Sequence, residues 1–320
     1  LTPRVFDIHN FFSRVESAAI VDGALKQKAE SHRIKRSTTG AVGNHVNNRR
    51  TSESGFDTHG KTAVIVKKRG LDLLGFDNYI DGFTDGLQIL RYNLTKAYTP
   101  HMDWIDDPSG TLPHDYDSAG KGGNRFATIF MYMSDLEKEA GGETVFVEAW
   151  PVGQKEEDRI DTTTALRLLR ESGDGAALKP GSWEEEMVAK CRTRLAVNPR
   201  ADRAILFYSQ HPNGEPDKSS LHGGCPVLEG TKFGANLWVW NTIRDGFEGA
   251  PRNPKAKKTA TNPTPQYEMS KATFENTGTN PQYDNAVLFF GENRLWSKLG
   301  KGDPVVGVNT YEGHVWKLKV

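Results

Sequence analysis

At 320 residues, with 36% hydrophobic and 10% aromatic side chains, the chain can bury one large core and still hold a second small one. Lysine plus arginine and aspartate plus glutamate balance at 41 each, so no global field draws it to nucleic acid or to an anionic membrane, and any anion it binds must be held by local charges. No apolar run approaches the ~18 residues of a membrane span, and the chain opens on Leu1 rather than Met, which leaves room for a trimmed leader or anchor upstream.

Ser13-Arg14-Val15-Glu16 reads as a capping box, and Ala18, Val21, Leu25 and Ala29 recur at helical spacing, which predicts a helix from about Arg14 to Glu30. Residues 31 to 62 are basic and polar and read as a surface loop, with a second short helix expected near Leu71 to Ile80. The pattern then changes to short β-branched and aromatic runs, "GLQILRY", "FATIFMYM", "ETVFV", "RLAV", "RAILFY" and "GANLWVW", separated by Gly, Asn, Asp and Pro. Helices first and many strands after argue for an α+β unit built around a β sandwich or barrel. Residues 151 to 190 interrupt the strands with charges and one expected helix, "TTTALRLLRES", and read as an insertion at the rim. Residues 246 to 268 are a Pro- and Lys-rich linker, partly polyproline-like, between a first domain at 1–245 and a small strand-rich module at 269–320.

Two cysteines, Cys191 and Cys225, are too few for a disulfide scaffold or a cysteine zinc site, though they can form one bridge. Asn93-Leu94-Thr95 is a sequon, which matters only in the secretory pathway.

In "YTPHMDW", His101 and Asp103 are two apart, and in a strand such residues share a face. On the triplet alone a polar pair at the end of a strand is the better account; a metal site needs a third ligand. His222, among glycines at the start of a strand-like run, is the candidate. Two histidines and one carboxylate on one face leave three coordination positions open, which suits non-heme Fe(II) oxygen chemistry. Met102 is then expected to point away, into packing. Lys232 sits ten residues after His222 in an apolar pattern, so it must meet a carboxylate from the protein or from a ligand. A zinc hydrolase using the same three ligands would have no role for that lysine.

Four segments in order, "LQILRYNLTKAYTPHMDW", "NRFATIFMYMSD", "GGETVF" and "SLHGGCPVLEGTKFGANLW", make the stretch from about Arg4 to Asn241 similar to the prolyl 4-hydroxylases of plants and algae. The resemblance implies a double-stranded β-helix (jelly roll) with supporting N-terminal helices. It implies iron on His101, Asp103 and His222, with the distal carboxylate of 2-oxoglutarate on Lys232, helped by Tyr92 and Thr144. Its peptide-binding positions correspond to Arg50, Ser52, Tyr98, Arg125 and Trp238, although for Trp238 a place in the core is an equal alternative. It implies a disulfide between Cys191 and Cys225. The chemistry implied is hydroxylation of proline in proline-rich peptides with Fe(II), 2-oxoglutarate and O2, ascorbate serving as reductant and the cofactor carrying the oxygen chemistry. Aromatic walls suit a preformed polyproline II ligand. The alternatives are hydroxylation of another residue or a free amino acid, and a non-catalytic hydroxyproline-binding protein. The endoplasmic reticulum or Golgi lumen is the expected compartment, with the cytoplasm as the alternative; nothing in the sequence fixes the oligomeric state.

Some positions depart from that pattern. Thr95-Lys96 stand where the family commonly has Gly-Gln, the Arg-Thr-Ser segment runs on by one residue, Trp240 stands where a basic residue or histidine is common, and the 151–190 insertion is long. The C-terminal "NTYEGHVW" resembles the β domain of the von Hippel–Lindau protein, a hydroxyproline reader. That resemblance implies hydroxyproline contacts at Thr310, His314 and Trp316, with Trp296 in place of an upstream tyrosine; the alternative is that these side chains build the module's own core.

Overall fold

The computed structural model describes residues 3–39, 46–76, 79–106, 123–173 and 175–241, and the backbone of five strands beyond residue 269. Helix α1 (Arg14–Lys26) starts at the expected box: the Ser13 hydroxyl accepts from the Glu16 amide at 3.1 Å, and the Glu16 carboxylate accepts from the Ser13 amide at 2.7 Å. The helix buries Ser17, Ile20 and Ala24 and stops before Glu30, where only Ala29 remains to continue the apolar face.

The segment expected to be a loop holds two strands, β2 (Lys35–Arg36) and β3 (Glu53–Asp57), and the expected helix near 71–80 instead runs earlier, as α2 (Lys61–Leu73). The polar composition of β3 is that of a strand with one wet face, whose Glu53 pairs across the sheet with Arg91 at 2.8 Å. Helix α2 ends where Gly75 takes a left-handed φ of 79° and the Phe76 amide reaches back to the Leu71 carbonyl at 3.1 Å, a glycine stop that excludes continuation to Ile80.

The remaining strands of the first unit are β1 (Val5–Ile8), β4 (Leu87–Tyr92), β5 (Tyr98–His101), β6 (Arg125–Tyr132), β7 (Thr144–Phe146), β8 (Leu195–Val197), β9 (Ala204–Tyr208), β10 (His222–Gly224) and β11 (Lys232–Trp240). They form a seven-stranded sheet, β1-β9-β6-β11-β4-β3-β2, and a four-stranded sheet, β5-β10-β7-β8, with antiparallel pairing throughout. Register aligns the inward side chains in rows: Tyr92 lies opposite Lys232, Gln88 opposite Asn236, and Thr128 opposite Trp238. One apolar cluster draws on both sheets, with Leu90, Tyr92, Phe130 and Phe207 from the larger and Phe146 and Val197 from the smaller. The Phe146 and Phe207 rings meet edge to face at 5.3 Å, so the two inner faces share a core.

The 151–190 insertion contains two helices, α3 (Thr162–Ser172) and α4 (Trp183–Thr193), not one. Ser182 caps α4 by accepting from the Glu185 amide, three acids occupy its first turn, and Arg170 of α3 grips Glu185 through two bonds of 2.8 Å. A disulfide joins Cys191 of α4 to Cys225, just beyond β10, with Cα atoms 6.2 Å apart.

The chain divides into two compact units, Leu1–Lys67 with Ile80–Arg252, and Lys68–Tyr79 with Asn253–Val320. In the C-terminal part β12 (Ser270–Phe274) pairs with β15 (Val306–Thr310), while β13 (Ala286–Phe289) pairs with both β14 (Leu295–Leu299) and β16 (Lys317–Lys319), all antiparallel. The predicted linker, 246–268, lies outside the described residues.

Candidate functional site

Strands β5 and β10 pair so that His101 stands opposite His222, with ring centroids 4.5 Å apart. Each imidazole Nδ1 lies 2.9 Å from a carbonyl two residues earlier in its own chain, Thr99 for His101 and Ser220 for His222. A carbonyl only accepts, so Nδ1 carries a proton and Nε2 is the nitrogen turned toward the carboxylate. Both Nε2 atoms face Asp103, at 3.9 Å for His101 and 3.7 Å for His222. Asp103 reaches them differently from the strand alternation expected: β5 ends at His101, and the bend after it carries Asp103 inward. Thr128 Oγ1 donates to Asp103 Oδ2 at 2.6 Å and fixes the carboxylate.

Three ligand atoms, one from each residue, lie within 4.8 Å of one another, close enough to share one ion. Burial first, then the neighbouring His222, push the His101 imidazole down to about 3, so it is neutral, as a ligand must be. Burial works to raise the Asp103 carboxyl, but His222, His101 and Arg125 outweigh it and hold it below its ordinary value. The donor set of two imidazoles presenting Nε2 and one carboxylate fits a divalent metal of the iron type. A second group, Glu143 with Cys191 and Cys225, is no such site, because its sulfurs are spent on the disulfide.

Lys232, at the start of β11, is buried among aromatic rings. It is 1% exposed, and its Nζ lies 5.3 Å from the Tyr92 ring centre, 5.0 Å from Phe130 and 5.6 Å from Tyr132. Among the described residues no carboxylate comes within ion-pair distance of it. Burial lowers its pKa to about 7, against a weaker opposing pull from Glu143. That glutamate is held on Arg192 at 2.7 Å. Thr144 and Gly224 face each other across β7 and β10, and a Cβ on Gly224 would sit 3.5 Å from the Tyr92 hydroxyl. Gly142, at φ 76°, keeps the wall thin: a Cβ there would lie 2.8 Å from Leu136 and 3.4 Å from the Lys232 stem.

The residues predicted to meet peptide fall in two groups, Arg50, Ser52 and Tyr98 beside Tyr92 and His101, and Arg125 with Trp238. The Tyr98 ring stacks on His101 at 3.7 Å, and the Arg50 guanidinium lies over Tyr98 at 4.8 Å. Arg50 is buried and donates to Gln88 Oε1 at 3.1 Å, which also accepts from Asn236 at 3.2 Å. Ser52 is wholly buried and bonded to Ser37 at 2.9 Å and Arg50 at 3.3 Å, so it braces Arg50 from behind. Arg125 packs over Trp238 at 3.7 Å and Trp240 at 5.7 Å and is tied to Asp85 by bonds of 3.1 and 2.9 Å. Among the described residues the buried Trp238 indole N–H has no hydrogen-bond partner. Met102, expected to turn into packing, lies with its sulfur 3.8 Å from Ser220 Oγ.

Thr128, Gln88, Asp85 and Tyr132 touch Asp103, Arg50, Arg125 and Lys232 respectively and were not nominated from the sequence. Each is an ordinary strand or strand-edge residue whose partner lies far away in the chain; only inward parity with Lys232 or Trp238 could have flagged them. Of the C-terminal candidates, Thr310 lies on β15 opposite Ser270 and Trp296 on β14 opposite Leu288, while His314 and Trp316 lie outside the described residues. No helix among the described residues is long and apolar enough to cross a membrane.

Residues 87–240 match the model of the 2OG-Fe(II) oxygenase superfamily. Probable prolyl 4-hydroxylase 3 of Arabidopsis thaliana is 30% identical over 240 residues, covering 74% of this chain and 69% of that protein. Prolyl 4-hydroxylase 5 of the same plant is 31% identical over 239 residues, covering 74% and 68%. Among solved structures, the viral collagen prolyl hydroxylase of Paramecium bursaria Chlorella virus-1 aligns with a TM-score of 0.47 at 20% identity, over 75% of this chain and 98% of that one.

Proposed function

This chain belongs to the plant-type prolyl 4-hydroxylases of the 2OG-Fe(II) oxygenase superfamily, and from that premise we propose that His101, Asp103 and His222 hold its iron, Lys232 anchors 2-oxoglutarate, and the Arg50–Trp238 end receives a proline-rich peptide. The two sheets are then the walls of a double-stranded β-helix, with the co-substrate end closed by Lys232 and the other end open to peptide. The observation that carries the assignment is the pairing of a three-ligand cluster with a buried amine that lacks a carboxylate.

The bound iron and keto acid together supply O2 activation, in which 2-oxoglutarate is decarboxylated to succinate and carbon dioxide while one oxygen atom is delivered to the C4 position of proline. The protein's part is placement. Thr128 and the two backbone carbonyls hold the three ligands in the geometry that an ion requires. Lys232 binds the distal carboxylate, a charge-assisted bond contributing ~1.5–3 kcal/mol, and the surrounding rings exclude water from it. Tyr98 stacks on a ligand histidine and offers its edge to the incoming ring. In this reading Trp238 forms one wall for the peptide, and Arg125, paired with Asp85, stiffens it by packing over the indole.

Incubation with Fe(II), 2-oxoglutarate, ascorbate and proline-rich peptides tests the reading. Peptidyl 4-hydroxyproline, seen by mass spectrometry and amino-acid analysis, is the expected product; hydroxylation of free proline alone, or of another side chain, replaces it with the alternative substrates. The Cys191–Cys225 bridge supports an oxidising compartment, the endoplasmic reticulum or Golgi lumen. We also propose that residues 269–320 form a reader of the product through Trp296, Thr310, His314 and Trp316, which would retain the substrate by raising its effective concentration. Equal affinity of the full chain for proline and hydroxyproline peptides once Lys232 and the metal ligands are mutated sinks that role.

A further inference from the structure

The turn between β4 and β5 contains a residue whose conformation costs energy and whose side chain does nothing for the fold. Thr95 has φ 65°, in the left-handed region, where a β-branched side chain is a marked outlier. Its backbone is well anchored, with the amide donating to the Val227 carbonyl at 2.7 Å and the Lys96 amide returning to the Asn93 carbonyl at 2.9 Å. Glycine would take this conformation freely. Among the described residues the Thr95 hydroxyl makes no hydrogen bond, so no contact offsets the strain. A β-branched residue at a strained position invites the question of what the side chain is for.

The answer lies two residues earlier. Asn93 and Leu94 are exposed, and with Thr95 they form Asn93-Leu94-Thr95, in which the threonine is the element an N-glycosylation acceptor requires. The Asn93 amide is held only lightly, its Nδ2 donating to Glu53 Oε2 at 3.3 Å and its Oδ1 accepting from Thr231 at 3.4 Å. A substituted amide keeps one N–H, so the bond to Glu53 survives a sugar on the same nitrogen. A disulfide such as Cys191–Cys225 is the kind of bond formed in oxidising compartments, where such transfer occurs. Asn93 follows Tyr92, and Thr231 precedes Lys232, so the turn lies at the Lys232 end of β11, away from Arg125 and Trp238.

We infer that Asn93 carries an N-linked glycan and that Thr95 serves, at the cost of the strain, as the hydroxyl of its acceptor triplet. In the transfer the Asn93 Nδ2 bonds to the anomeric carbon of an oligosaccharide borne on a polyprenyl diphosphate. The sugar–phosphate C–O bond breaks, the diphosphate leaves with the electron pair, and one amide proton is released. This inference does not rest on the hydroxylase reading.

The test uses the full chain isolated from its native source, treated with peptide N-glycosidase in heavy-oxygen water and mapped by mass spectrometry. Labelled aspartate at position 93 is expected. Expressed in secretory cells, Asn93→Gln and Thr95→Gly should lose the glycan while Thr95→Ser keeps it. Made without the glycan, Thr95→Gly should melt about 2–4 °C above the parent for each ~1 kcal/mol of strain relieved. An unlabelled Asn93 in the native protein overturns the inference, and so does a Thr95→Gly variant that melts no higher than the parent.

Discussion

Around His101, the groups proposed to hold iron are oriented by protein: two imidazoles turned by backbone carbonyls and one carboxylate held by Thr128. At the Lys232 end, a buried amine is surrounded by aromatic rings and left without a carboxylate among the described residues. The first group is held in place by hydrogen bonds from the protein itself. The second is incomplete, so the fold carries a desolvation cost that an anionic ligand offsets. Mutations should therefore act on stability with opposite signs at the two ends while damaging activity at both.

Asp103→Ala gives the largest effect. It removes one ligand and leaves Thr128 with no acceptor, so turnover should fall by about three orders of magnitude or more, and metal affinity with it, as read by succinate formation and equilibrium dialysis. Next comes Lys232→Met. The KM for 2-oxoglutarate should rise roughly 10- to 100-fold, from the loss of a charge-assisted bond, while the ligand-free protein gains on the order of 1 kcal/mol or more in chemical denaturation. Loss of stability in that variant would break the contrast between the ends.

The same lysine sets a pH dependence. Its pKa is about 7 in the fold against 10.5 when unperturbed. Between those values the unfolded chain binds more protons, so the penalty is fully present below 7 and fades as pH rises toward 10. A bound carboxylate restores the charged form, so 2-oxoglutarate binding at pH 8 should take up a proton, seen as a binding heat that changes with the ionisation enthalpy of the buffer.

Thr128→Val is subtler: metal affinity should fall about tenfold with the KM for 2-oxoglutarate unmoved, which separates the two ends by a single hydroxyl. Away from both, Arg167→Ala removes an exposed pair with Glu171 on α3 and should cost no more than ~0.5 kcal/mol with every KM unchanged.

Much of this was legible in the sequence because it is local. The Ser13 box, the six strand runs and the His101, Asp103, His222 and Lys232 spacing each sit within a short window or a family motif. Strand β3 was hidden because its polar residues satisfy an exposed face and a cross-strand pair with Arg91, which only the neighbouring strand reveals. Helix α4 was missed although Ser182 and Glu185 carried a start signal, because the charges around it masked the buried Met187, Val188 and Cys191. Thr128 and Gln88 were invisible for a different reason. Their roles depend on partners brought near by register and not by sequence, Asp103 for one and Arg50 for the other.

Anaerobic titration of the Fe(II)-loaded protein with 2-oxoglutarate tests both ends in one measurement, through the visible charge-transfer absorption of an α-keto acid chelated to Fe(II). The parent protein should give a saturable band, Asp103→Ala none, and Lys232→Met should need at least about tenfold more 2-oxoglutarate to saturate. An absent band in the parent, or one equally strong and equally tight in both variants, contradicts the proposed roles.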